Sequence, residues 1–233
     1  MKLGIMQPYF FPYIGYWQLM NAVDRYVIYD DVAFIKNGWI NRNRILINGA
    51  PAYFNLPTAG AGSFVPINEV RLSGEKKLFD KLLKTLDNAY RKAPFFAETM
   101  PLVEAVMTSG GEYMAELLEF QIRAVAKHLG MKTEILVSSR DVAKNSELRA
   151  QDKVLDICRN LGATEYYNAI GGRELYDKAA FAGRGVALSF LSTADIVYKQ
   201  YKNDFVPNLS IIDVLMFNGA ETTGKLLNEY ELV

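Results

Sequence analysis

Between Lys2 and Tyr29 the chain passes from a short apolar strand, Lys2 to Met6, through an aromatic loop, Gln7 to Tyr13, and a helix of about Ile14 to Ala22 into a second strand, Arg25 to Tyr29. Two strands joined by one crossover helix in so few residues form a βαβ unit, and its strands lie parallel. Parallel strands are buried on both faces and need helices to cover them, so this one stretch already implies an α/β fold. No charge occurs between Lys2 and Asp24, a run that could pass for a signal peptide or a membrane span. Gln7, Pro8, Pro12, Gln18 and Asn21 interrupt it, and it lacks a basic leader and a cleavage site, so it reads as part of the fold, with no membrane span expected.

The rest of the chain repeats the alternation with two interruptions. WINRNRILING followed by APAYFNLPT gives two extended runs around Asn48-Gly49, a strong hairpin signal. Helical periods then cover Glu75 to Lys92, Phe95 to Thr108 and Glu112 to Leu129. Thr133 to Ser138, Thr164 to Asn168 and Val186 to Leu191 read as further strands, with helices at Arg149 to Leu161 and Arg173 to Ala182 between them. Five strands with helical crossovers imply an open, Rossmann-like parallel sheet with helices on both faces. At 233 residues, against roughly 150 per domain, the chain is expected to be one α/β domain over 1–233, with a hairpin insertion at 36–68 and a helical segment at 75–130.

Composition narrows the chemistry. The 26 Lys and Arg cancel the 26 Asp and Glu, which excludes a basic protein that coats nucleic acid and an acidic solvating segment. Cys158 is the single cysteine, so no intramolecular disulfide forms and a cytoplasmic address is the expectation. His128 is the single histidine and reads as a helix-surface residue, which removes triads and histidine-based zinc sites.

Five segments remain as candidates. In Gln7 to Trp17, six aromatics fall within nine residues after the first strand, where the crevice of a doubly wound sheet opens. They either fill a core corner or, as Gln7, Tyr9, Tyr13 and Tyr16, line a pocket that stacks a base or a sugar. In Lys36 to Arg44, strand alternation puts Arg42 and Arg44 on one face and Trp39, Asn41 and Asn43 on the other. The two guanidiniums form an anion clamp to which Lys36 adds a third charge, or else a solvated strand face. Asn168, Gly171 and Gly172 lie between a strand and a helix, where backbone N–H groups can meet a phosphate or simply turn the chain. Ser210 and Asp213 have capping-box spacing at a helix expected to stop at Gly219, and that start is either a cap alone or also an anion site. Asp30 and Asp31 end the second strand, where paired carboxylates could hold magnesium beside a nucleotide or shape a turn. With histidine so scarce, Asp31 is the candidate general base, and Lys36 joins it as a candidate catalytic group.

GIMQPYFFPYIGYWQL, VIYDDVAFIKNGWINRNRIL, TEYYNAIGG and the segment from Tyr198 to Gly219 closely resemble the WbqC-like family of bacterial proteins, in register and nearly end to end. The resemblance implies a role in O-antigen and other surface-polysaccharide biosynthesis, as a transferase decorating a nucleotide-activated amino sugar with an acyl or glycyl group. A more distant similarity, through Tyr13-Ile14-Gly15-Tyr16 and Leu209-Ser210-Ile211-Ile212, is to the nucleotidyltransferase superfamily with its HUP-like fold. Both histidines of that family's HxGH pattern are tyrosines here. The alternatives are thus a divergent nucleotidyltransferase or adenylate-forming enzyme, and a non-catalytic module binding a glycan precursor or a partner enzyme.

Overall fold

The computed structural model describes residues 1–60, 62, 64–202 and 204–233. Strands β1 (Lys2–Met6), β2 (Arg25–Ile28), β5 (Glu134–Val137), β6 (Glu165–Ala169), β7 (Ala187–Thr193) and β8 (Tyr230–Leu232) form one sheet in the order β5-β2-β1-β6-β7-β8. All neighbours pair parallel except β7 with β8, which are antiparallel. The molecule is therefore α/β, with a mixed, mostly parallel sheet flanked by helices. A separate antiparallel sheet consists of β3 (Arg42–Ile47) and β4 (Ala50–Asn55).

Successive residues of a strand face opposite sides of the sheet, and each side here has its own core. Leu3, Ile5, Val27 and Tyr166 pack on one side with α6 (Ala150–Leu161) and Phe181 of α7 (Lys178–Ala182). Tyr26, Ile28 and Tyr167 face the larger core on the other side. That core is built from α1 (Ile14–Asn21), α2 (Lys76–Tyr90), α3 (Phe96–Met107), α4 (Met114–His128) and α8 (Ile211–Leu226). A four-residue helix, α5 (Ser138–Asp141), follows β5.

In the β3–β4 turn Asn48 and Gly49 take φ of 52° and 79°, the doubly left-handed conformation of a two-residue hairpin that this residue pair tolerates best. The hairpin is fastened to the loop after β1. Phe10 N–H donates to the Ile40 carbonyl at 3.0 Å, and Asn43 Nδ2 donates to the Phe10 and Phe11 carbonyls at 3.1 and 2.9 Å. This fastening sets the hairpin's arginines beside the end of β1.

Three local expectations are corrected. The helix expected over Arg173 to Ala182 is a 3-10 segment at Ile170–Leu175, an extended Tyr176, and then α7. Tyr176 packs edge-on against Tyr166 and Phe181, each 5.8 Å away, and Asp177 accepts from Ala179 N–H at 2.9 Å, so burial and a cap start the helix late. The last helix does not stop at Gly219. It bends there, at φ 68° and ψ 175°, and resumes to Leu226. The edge strand β8 is an addition to the five strands read from the sequence.

Candidate functional site

Reading along the sheet, the chain moves from β1 outward through β2 to β5, then crosses back to β6 on the other side of β1. The loops after β1 and β6 therefore leave in opposite directions, and a crevice opens between them at the carboxyl ends of the strands. The β1 loop is pinned from beneath. Gln121 donates to the Tyr9 carbonyl at 3.0 Å and accepts from Phe11 N–H at 2.8 Å, while Ser210 Oγ donates to the Phe11 carbonyl at 2.7 Å. These bonds hold Phe11 at φ 41°, a left-handed value that a bulky side chain rarely adopts. Phe10, Phe11 and Trp17 are consequently buried, as the core-filling reading of the aromatics has it, whereas Tyr9 and Tyr13 keep one side open.

Two cavities share that open side. The larger cleft, about 600 Å³, is walled by Gln7, Tyr9 and Tyr13 on the β1 side and by Asn168, Gly171 and Gly172 on the β6 side. Tyr16, Tyr29, Trp39 and Tyr176 complete its aromatic lining. The smaller cavity, about 370 Å³, is bounded by Tyr9, Pro12, Tyr13, Trp39, Arg44 and Asn208, with Asn43 at its base. Tyr9, Tyr13 and Trp39 belong to both, so the two cavities meet at an aromatic partition. A larger cavity, about 830 Å³, lies elsewhere, between the hairpin turn and α2.

The electrostatics of the cleft are those of neutral phenols. Burial, then the charge of Tyr13, raises the Tyr9 hydroxyl above its ordinary value. Burial raises Tyr13 as well, against a hydrogen bond to Thr193 that lowers it. Tyr16, whose hydroxyl donates to the Gln7 carbonyl at 3.2 Å, and Tyr29 are raised further, again chiefly by burial. All four therefore act as hydrogen-bond donors and acceptors at neutral pH and not as bases. Gly171 offers open space: a Cβ there would meet nothing within 4 Å, whereas at Gly172 it would press on the Asn168 side chain at 3.2 Å.

The remaining candidates lie outside the lining. Lys36 is exposed in the loop before Trp39, and Asn41 uses its carbonyl to accept from Leu56 N–H at 2.8 Å. Arg42 donates to the Gly38 carbonyl at 3.0 Å and to that of Asn37, and its guanidinium lies 4.5 Å from the Tyr53 ring centroid. The expected two-arginine clamp thus reduces to Arg44. Trp39 lies over Arg44, 5.7 Å from ring centroid to guanidinium, because residues 39–41 bend before the strand starts and strand alternation does not apply to them. Asn43 is buried, bonding Phe10 and Phe11 as above and accepting from Arg44 N–H at 2.8 Å.

Asp31 does not face the cleft as a free base. Lys144 and Lys153 approach its Oδ2 at 3.1 and 3.3 Å. Burial pushes its carboxyl up, but hydrogen bonding and the two lysine charges outweigh that and hold it below the usual range. Asp30 is turned away to accept from Ser139 N–H and Oγ at 2.9 and 2.6 Å. The pair is thus divided between separate partners and does not fit a magnesium ion, and among the described residues no group of three or more His, Cys, Asp or Glu side chains is placed to hold a metal. Ser210 is corrected too. It is fully buried, its hydroxyl accepts from Ile212 N–H at 3.2 Å, and Ile211 N–H donates to the Pro12 carbonyl at 2.9 Å, which leaves this helix start no free donor for an anion.

Lining residues that the sequence reading did not assign include Tyr29, Val32, Tyr176 and Asn208. Tyr29 was within reach, as the last residue of a strand whose end borders the crevice. Asn208 was not: it sits at φ 56° and turns its carbonyl toward Arg44 Nη2 at 3.3 Å, a long-range pairing without a local signal.

Among known proteins, the chain is 27% identical over 229 residues to the uncharacterized protein Rv1507c of Mycobacterium tuberculosis, covering 97% of each chain. No solved structure matches it. No helix among the described residues is long and apolar enough to cross a membrane. A sequence model of the WbqC-like protein family matches residues 7–225, which includes every cleft-lining segment from Gln7 to Asn208. The chain belongs to the WbqC-like protein family.

Proposed function

We propose that the protein is a cytoplasmic transferase of surface-glycan (O-antigen) biosynthesis, which takes a nucleotide-activated amino sugar into the larger cleft and adds an acyl unit, such as glycyl, to its amine. The observation that carries this reading is the cleft itself, an aromatic and uncharged polar trough at the strand-order switch with an open glycine turn on one rim. Tyr9, Tyr29 and Tyr176 offer ring faces and neutral hydroxyls to sugar and base, and Gln7 lines the same trough. The Gly171-Gly172 turn is where backbone can approach a diphosphate without obstruction by side chains.

Among the described residues, no imidazole, thiol or carboxylate lines this cleft. Acylation of an amine by an activated ester or thioester does not require one: the new C–N bond forms as the C–O or C–S bond breaks, and the departing group takes the amine proton. The protein's part is then to align the two reactants and to donate hydrogen bonds to the carbonyl oxygen as charge develops on it. The same absence favours a second reading, a non-catalytic module that holds a glycan precursor for a partner enzyme.

Calorimetric titration with a UDP-amino sugar tests the reading. Gly171→Val places a branched side chain into the open rim where nothing in the fold obstructs it, so its melting temperature should stay near wild type while affinity falls by about tenfold or more. Binding equal in both proteins, or undetectable in wild type, overturns the cleft assignment. Binding without turnover across a panel of acyl donors favours the module.

A further inference from the structure

The smaller cavity differs from the cleft it adjoins in containing a guanidinium. Arg44 reaches the Asn208 carbonyl only through a long bond of 3.3 Å, and its Nε is buried with no acceptor among the described residues. A buried N–H without a partner is unfavourable, and a ligand acceptor at that position would relieve it. Nε and a terminal nitrogen of arginine present two parallel donors, the spacing of the two oxygens of a carboxylate.

Charge decides between a carboxylate and a phosphate. Among the described residues, Arg44 is the only cationic side chain lining either cavity. Arg42, two residues away on the same strand, is engaged with the carbonyls of Gly38 and Asn37. The donors of α8 that a phosphate would use are bound within the fold. One guanidinium matches one negative charge, whereas a phosphate monoester carries roughly 1.5 to 2 at neutral pH. The walls are the rings of Tyr9, Pro12, Tyr13 and Trp39, which favour an apolar body behind the anionic head.

We infer that the smaller cavity is a binding site for a small monocarboxylate with a ring-bearing apolar body, held side-on by Arg44 and stacked on Trp39. The site needs only the cavity and Arg44, and so stands apart from the transferase reading.

Of the two tryptophans, Trp17 is fully buried and Trp39 is exposed, so a change in tryptophan emission on adding a ligand reports on Trp39. Phenylacetate should change the emission saturably, while phenylacetamide and phenyl phosphate bind about tenfold more weakly or worse. Arg44→Gln should reduce phenylacetate to the level of the amide and leave the amide unaffected. Arg44→Lys keeps the charge, loses the paired donors and should recover only part of the affinity. Phenyl phosphate binding as tightly as phenylacetate overturns the inference, as does the absence of saturable phenylacetate binding to wild type. So does Arg44→Gln or Arg44→Lys with undiminished affinity for the acid. Because the probes contain no nucleotide or sugar, failure here is separate from failure of the UDP-amino sugar titration.

Discussion

Two aspartates, one fully buried and one half-buried, illustrate how a carboxylate's surroundings set its role. Asp213 has no exposed surface and accepts from Tyr90 Oη at 2.8 Å, Tyr198 Oη at 2.7 Å and Gln200 Nε2 at 2.7 Å. Burial is the largest influence and raises its carboxyl above the ordinary range, with the three donors only partly opposing it. A carboxyl raised in the folded state binds protons that the unfolded chain has released, so its contribution is full below the unfolded value, near 3.9, and is lost as pH rises through the folded one. Asp31, held low by its lysines, has the opposite sign: its contribution is present above the unfolded value and is lost as pH falls through the folded one. Asp213→Asn should therefore cost roughly 1–3 kcal/mol, because an amide cannot accept from all three donors. Urea melts should show this deficit largest at acidic pH and smaller as pH rises through the folded value, since the wild-type carboxyl loses its advantage there. A deficit that grows with pH would mean that Asp213 is held low. At this scale the sequence revealed which residue types were available and not what they touch. Ser210 and Asp213 have capping-box spacing, yet only Ser210 caps, because Tyr90, Tyr198 and Gln200 arrive from distant segments and take the carboxylate.

Among the elements, helices and strands with strong apolar periodicity were legible, and the departures have side-chain causes. The bend of α8 at Gly219 lies against Phe95: a Cβ at Gly219 would lie 2.6 Å from its ring. With φ 68° and ψ 175°, the position also falls in a region essentially restricted to glycine. Gly219→Ala should cost roughly 1–3 kcal/mol from backbone strain alone, with the ring contact adding to it. Thermal unfolding should show the loss, and Phe95→Ala in the same chain should recover the steric part but not the backbone part. Full recovery would place the whole effect in the ring contact. Periodicity could not report this bend, nor the extended Tyr176, because both lie against aromatic rings that only the folded chain brings there. The aromatic run after β1 was legible as a feature but divided in its outcome: pinning by Gln121, Asn43 and Ser210 sends Phe10 and Phe11 inward and leaves Tyr9 and Tyr13 on the cleft.

For the whole molecule, the alternation of strands and helices was enough to specify a parallel sheet, and the end of β1 was enough to locate its crevice. Strand order was not legible, since it depends on which edge each crossover returns to. β8 was not legible either, because three residues, Tyr230–Leu232, carry too little pattern. Yet β8 bears on the site. It pairs Tyr230 with Thr193 of β7, whose side chain bonds Tyr13, the partition between the two cavities. The segment just before it holds α1 in place, with Gln18 Nε2 donating to the carbonyls of Leu226 and Glu229 at 2.9 Å each. Phe190 and Val233 exchange two backbone hydrogen bonds of 2.9 Å, which close the edge of β7. Ending the chain at Asn228 should therefore do three things together. The melting temperature should fall by several degrees, since at this size each ~1 kcal/mol lost lowers it by roughly 2–4 °C. The uncovered edge of β7 should promote concentration-dependent association, visible by light scattering. Phenylacetate affinity should also weaken, because Thr193 and α1 no longer hold Tyr13 against the smaller cavity. A truncated chain that melts lower but binds phenylacetate as before would confine β8 to edge protection and uncouple it from the site.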